Sequence, residues 1–151
     1  MDLKIVVRKD CCAVLEADTK TEAIMELIDL TVKNGLIKDA ETLKSEIFYR
    51  EQLMSTGIGL GLGVPHVRYK GIDEPFIAVG VQPRGISDYQ AIDGEPVTVV
   101  TMILVGPQRH KDHIRLLSLM VGKIKQPAVK KRLLAAKNGQ EIYEALTGDA
   151  E

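Results

Sequence analysis

Three histidines, His66, His110 and His113, carry most of the chemical interest of this 151-residue chain. His66 follows Pro65 near the end of the segment 55–68, which reads STGIGLGLGVPHVR. Imidazole can act as a covalent nucleophile, and its ordinary pKa leaves a large neutral fraction at physiological pH. Proline fixes its own φ and lacks a donor, so Pro65 presents His66 from a stiff backbone. Ahead of it, residues 57–64 alternate glycine with a large aliphatic residue. In an extended chain that pattern puts the aliphatics on one face and bare backbone on the other, and it marks close approach of a ligand or of another backbone. The run fails the dinucleotide fingerprint, because the third glycine would fall at Leu62 or Val64, and no Gly-Lys-Ser or Gly-Lys-Thr follows.

His110 and His113 stand where a helical period begins. A helix N-terminus offers free N–H groups and a positive dipole end, both suited to phosphate. A second histidine there can bond phosphoryl oxygens or orient the first; His110 reads more simply as a capping or solvent-facing residue. A zinc site built from His66, His110 and His113 has the right spacing at 110 and 113, but no carboxylate completes it and the glycine run goes unexplained. The basic residues Lys123, Lys125, Lys130, Lys131 and Arg132 form a solvated helix face. Cys11 and Cys12 are adjacent, so they build neither a four-ligand zinc pattern nor a disulfide framework.

The elements that must position these residues can be read from period and punctuation. Leu3 to Val7 is a short β-prone run. Thr19-x-x-Glu22 is a capping box ahead of Ile24, Leu27, Ile28 and Val32, with Gly35 as the stop. Asp39 caps a second helix through Leu43, Ile47 and Arg50-Glu51 to Met54. Phe76–Val81 reads as a strand, Asp93-Gly94 as a turn, and the β-branched run Val97–Val105 as a buried central strand. From Asp112 the helical period returns, with Ile114, Leu117, Met120, Val121 and Ile124 on one stripe. Pro127 starts a further helix with Val129, Leu133 and Leu134 facing in, and Asn138-x-x-Glu141 caps a last one through Ile142, Ala145 and Leu146. The order predicts one α/β domain over residues 1–151: a three-layer α/β/α sandwich with helices on both faces of a mixed sheet.

Composition narrows the function. The chain is 45% hydrophobic and 27% charged with a net charge of -1, which fits neither a disordered segment nor a basic nucleic-acid-binding domain. No basic stretch followed by an apolar run opens the chain, and Val97–Val105 is far short of the roughly 20 residues that span a bilayer. A cytoplasmic protein without membrane insertion is expected.

Arg50-Glu51 followed by STGIGLGLGVPHVR resembles the active-site signature of the fructose/mannitol-type enzyme IIA domains of the bacterial phosphoenolpyruvate-dependent sugar phosphotransferase system (PTS), a group that includes the nitrogen-regulatory IIA proteins. Asp93-Gly94-Glu95-Pro96-Val97, Pro107 and His113-Ile114-Arg115-Leu116-Leu117 form a second matching element. The resemblance implies the phosphotransferase/anion-transport-protein-like fold and a phosphohistidine carrier. His66 would take a phosphoryl group from the phosphocarrier protein HPr and pass it to an enzyme IIB. His113 would support it, and Arg50, Thr56 and Gly59 would contribute binding contacts. No metal or cofactor is implied. A role in sugar uptake and a regulatory role read through phosphorylation state both use the same His66. Three positions depart from the family's usual form: Leu60 stands where Asn is usual, Gly63 where Ala is common, and Val67 where Gly is common. The first is expected to remove a hydrogen bond beside the phosphohistidine, and the last to add bulk next to His66.

Overall fold

The chain is described by a computed structural model covering residues 2–72 and 74–148. A six-stranded mixed sheet runs in the order β1 (Val7–Val14), β5 (Phe76–Ile86), β6 (Val97–Val105), β3 (Leu62–Gly63), β2 (Gly57–Gly59), with β4 (His66–Arg68) also pairing β6. Strand β6 is the hub: antiparallel to β5, parallel to β3 and parallel to β4. Its side chains alternate between two cores, as a strand buried on both faces must. Val99, Ile103 and Val105 enter one, with α1 (Leu3–Val6), α4 (His110–Ile124), α5 (Pro127–Ala135) and α6 (Gly139–Thr147). Val100, Met102 and Leu104 enter the other, with α2 (Lys20–Lys33) and α3 (Ala40–Leu53). This is the three-layer arrangement expected from the order of elements.

The helix caps follow the sequence signals. The side chains of Thr19, Asp39 and Asn138 accept from the backbone N–H three residues on, which satisfies an otherwise orphaned donor at each start. Gly35, at φ +74, follows the end of α2. Three expectations need correction. Leu3–Val6 is a single helical turn rather than a strand, started by Asp2, and only Val7 of the expected run is extended. The first strand lies at Val7–Val14 and includes Arg8, Lys9 and Asp10; it is an edge strand, where exposed charges are tolerated and discourage intermolecular pairing. On α4 the buried line is Leu116, Met120 and Ile124, with Leu117 and Val121 half-buried beside it and Ile114 exposed.

The glycine run is a hairpin, not one extended strand. β2 and β3 are antiparallel, joined at Leu60 and Gly61 with φ of 59° and 74°. Positive φ at both central residues is the type I′ turn, which matches strand twist and strongly favours Asn-Gly. The asparagine usual in the family at this place is therefore the residue the turn prefers. Leu60 occupies the left-handed region without a side chain that eases it. Leu60→Asn is expected to stabilise the protein by about 1 kcal/mol, seen as a higher urea midpoint with an unchanged slope. The run's bare faces meet protein. A Cβ at Gly57 would lie 2.2 Å from the Gln90 carbonyl oxygen, and one at Gly63 would lie 2.6 Å from the Tyr89 ring. Gly63 thus stands where alanine is common because buried Tyr89 occupies the space.

Candidate functional site

β3 and β4 follow one another along the same edge of β6, with Leu62 and Gly63 opposite Val99 and Val100, and His66 to Arg68 opposite Ile103 to Val105. Pro65, which cannot donate, separates them, yet its carbonyl accepts from Ile103 N–H at 2.9 Å. His66 is thereby fixed to the sheet's central strand. Strand alternation puts His66 and Arg68 on one face and Val67 on the other, where Val67 is 1% exposed within the α2/α3 core. The extra bulk at position 67 goes into packing, not against the imidazole.

Val64 carbonyl oxygen lies 2.9 Å from His66 Nδ1. A carbonyl only accepts, so Nδ1 carries the proton and Nε2 keeps its lone pair. That is the tautomer of an Nε2 nucleophile. The ring lines a recess of roughly 340 Å³ with Arg50, Ser55, Thr56, Ile58 and Leu117. It also lines a second recess of roughly 180 Å³ with Arg50, Arg68, His110 and His113. His113 stacks on His66 with ring centroids 4.5 Å apart and planes 29° from parallel. Stacked rings do not aim two lone pairs at one point, and no group of three His, Cys, Asp or Glu side chains among the described residues is placed to hold a metal ion.

The electrostatics favour an anion. Neither Arg50 nor Arg68 pairs with a carboxylate among the described residues. The site lies at the carboxyl-terminal part of β6 and beside the start of α4, whose N-cap residue Arg109 supplies no side-chain cap. Its first N–H groups and dipole therefore add positive potential. Burial, with the neighbouring His66, His110, Arg50 and Arg68, holds the His113 imidazole down to about 4. His113 is neutral at physiological pH. Its Nδ1 is buried without a partner among the described residues. A bare lone pair there costs less than a stranded N–H, which places the proton on Nε2 as a donor.

This depression has a measurable sign. The ordinary value is 6.5 and the folded value about 4, so between them the unfolded chain binds the extra proton. Stability then rises as pH increases from about 4 to 6.5 and gains nothing more from this group above that window. Urea midpoints measured across it should show this rise in the wild type and a smaller one in His113→Gln.

Of the residues singled out in the sequence, His66, His113 and Arg50 come together around the second recess, and Thr56 lines the first recess with His66 and Arg50. Gly59 does not: the position of its missing Cβ faces the Asp93 carboxylate at 3.2 Å, and it lines neither recess. Leu60 is likewise absent from both; its N–H donates to Asp93 and its carbonyl accepts from Lys130 Nζ. The hydrogen bond thought lost at position 60 therefore concerns the turn rather than His66. His110 is exposed as expected, and lines the second recess. Sequence reasoning missed Arg68, whose signal was its place two residues after His66 on a strand. It also missed Glu51, an acid in the last turn of α3, where the helix dipole disfavours it unless a partner compensates.

Residues 6–148 match the family described as the phosphoenolpyruvate-dependent sugar phosphotransferase system, EIIA 2. The chain is 32% identical over 128 residues to a PTS system fructose-specific EIIA component from Haloferax volcanii, covering 85% of this chain and 82% of that protein. It is 29% identical over 149 residues to a nitrogen regulatory protein from Klebsiella oxytoca, covering 97% and 91%. Among solved structures, the nitrogen regulatory protein IIA-Ntr from Neisseria meningitidis superposes with a TM-score of 0.83 at 24% identity, covering 95% of this chain and 98% of that one.

Proposed function

The chain belongs to the EIIA 2 family of the phosphoenolpyruvate-dependent sugar phosphotransferase system, and from that premise we propose that it is a phosphoryl carrier that is loaded on His66 Nε2 by phospho-HPr and unloaded by an enzyme IIB. The observation that carries the reading is the Val64 carbonyl on His66 Nδ1, which leaves the Nε2 lone pair free in a recess lined by Arg50 and Arg68, neither of them paired with a carboxylate among the described residues. That lone pair attacks the phosphorus of the donor phosphohistidine. The new N–P bond forms as the donor's N–P bond breaks, and the bonding pair returns to the donor imidazole. Such transfer depends on alignment and on neutralising the phosphoryl oxygens. Arg50 and Arg68 supply charge, His113 Nε2–H a neutral donor, and Thr56 a further polar group on the rim. Unloading to a IIB reverses the roles. Leu53 and Met54, 68% and 77% exposed beside His66, offer an apolar rim for the partners.

No helix among the described residues is long and apolar enough to cross a membrane, and a cytoplasmic site of action accords with a carrier that shuttles between protein partners. A second reading, a regulatory protein sensed through its phosphorylation state, is favoured by the nitrogen regulatory relative that aligns with nearly the whole chain. One experiment tests the carrier and divides the two roles. Purified protein is incubated with phosphoenolpyruvate, enzyme I and HPr, and acid-labile phosphate is measured before and after a IIB is added. Labelling followed by discharge is the result for a transport component. Labelling that no IIB from the same genome discharges points to regulation, and no labelling with the native HPr refutes the carrier.

A further inference from the structure

Behind the loop that leads to His66 lies a buried charged network that the transfer chemistry does not itself use. Glu51 is 8% exposed. Its Oε1 meets Lys20 Nζ at 2.8 Å and accepts from Thr56 N–H at 3.3 Å, and its Oε2 accepts from the Thr56 hydroxyl at 2.7 Å. The Tyr89 hydroxyl lies 2.6 Å from the same Thr56 oxygen, and Lys20 Nζ sits 4.7 Å from the Tyr89 ring centroid. Lys20 also donates to Ser55, whose hydroxyl donates to the Gln90 carbonyl. Thr56 is thus held by main chain and side chain together. Its carbonyl accepts from Val64 N–H at 3.0 Å, and the carbonyl of that same Val64 accepts from His66 Nδ1.

We infer that the Lys20–Glu51 pair is a positioning device for the nucleophile: through Thr56 and Val64 it fixes the carbonyl that selects the Nδ1–H tautomer and the ring orientation of His66. The inference rests on the carrier reading for its consequence, but its physical content is a property of the unphosphorylated protein. Two helices contribute, Lys20 opening α2 and Glu51 closing α3, so the network ties the loop to the helical layer across the sheet from α4. An ion pair that served stability alone would be replaceable, since apolar side chains of similar volume in place of a buried pair are often neutral or stabilising.

That difference defines the test. The double variant Lys20→Met/Glu51→Met keeps volume and removes the clamp on Thr56. Glu51→Gln keeps both contacts to Thr56, because its amide oxygen accepts from the N–H and its amide nitrogen donates to the hydroxyl. Nitrogen-15 spectra of His66 at a pH where it is neutral, and the kinetics of phosphorylation by phospho-HPr, are recorded for each. In the double variant the Nε2–H tautomer should become populated, and kcat should fall by about tenfold, with KM for HPr changed less than about twofold, as displacement of a reacting group predicts. Glu51→Gln should retain the wild-type tautomer. A double variant that is folded and has the wild-type tautomer and kcat overturns the inference. If it does not fold, Thr56→Val removes the hydroxyl arm alone, and an unchanged tautomer there overturns it equally. Should the wild type accept no phosphoryl group, the spectra still decide the relay while the carrier reading fails separately.

Discussion

His66→Ala is expected to reduce acid-labile labelling to background, a loss of about 10³-fold or more in transfer rate, because it removes the atom that forms the bond. The stacked His113 does not substitute for it, because the lone pair it keeps, on Nδ1, is buried. Ser55 and Thr56 would give acid-stable esters. Cys11 and Cys12 face opposite cores, and burial pushes their thiols up to about 11 and about 12, leaving almost no thiolate. The fold should survive: the only hydrogen bond the His66 side chain makes among the described residues is to Val64, worth about 1 kcal/mol. The variant also carries an internal control. Removing the stacked ring opens His113 to water and takes away one repelling neighbour, so the His113 imidazole should titrate closer to its ordinary 6.5. Loss of labelling together with a folded spectrum and that upward shift identifies a folded protein without a nucleophile. Loss without a folded spectrum would say nothing for His66, and persistent acid-labile label would remove it from the mechanism.

His113→Ala is expected to lower kcat for phosphorylation by on the order of 10²-fold, as for loss of one preorganised donor at a developing anion. A histidine kept neutral by burial donates without first losing a proton to solvent, and its stack on His66 holds it where the phosphoryl oxygens must come. KM for HPr should change little, since the apolar rim at Leu53, Met54 and Leu117 remains. Single-turnover rates at saturating phospho-HPr separate the two parameters. A rate within threefold of wild type would assign His113 to packing alone. A phosphoryl dianion on His66 favours the protonated form of its neighbour, so the His113 pKa should rise on phosphorylation, an effect visible in nitrogen-15 spectra.

Local signals decided much of this molecule. The caps at Thr19, Asp39 and Asn138, the stop at Gly35 and the apolar run Val97–Val105 are properties of neighbouring residues in the chain. They were legible because capping and strand burial act over a few positions. The pairing of a proline-presented His66 with a second histidine near a helix start was legible for the same reason, since both signals are short. The sequence by itself therefore determined the layered class, most of the helices and the central strand, and it singled out His66 as the candidate nucleophile.

What it did not determine is whatever depends on which surfaces meet. The run from Gly57 to Val64 alternates as an extended strand would, yet two positive φ angles at Leu60 and Gly61 fold it back. The partners of its bare faces, Gln90 and Tyr89, lie about thirty residues on. Gly59 belongs to that turn and not to the recess, which spacing along the chain cannot reveal. Helix α4 turns Leu116 into the core and leaves Ile114 outside because the sheet and the site share its first turns. Glu51 looked like one more charge on a helix until Lys20 and Thr56 closed on it. A carboxylate's role is set by the donors that surround it once water is excluded, and only tertiary packing brings donors from positions 20 and 56 to one buried point.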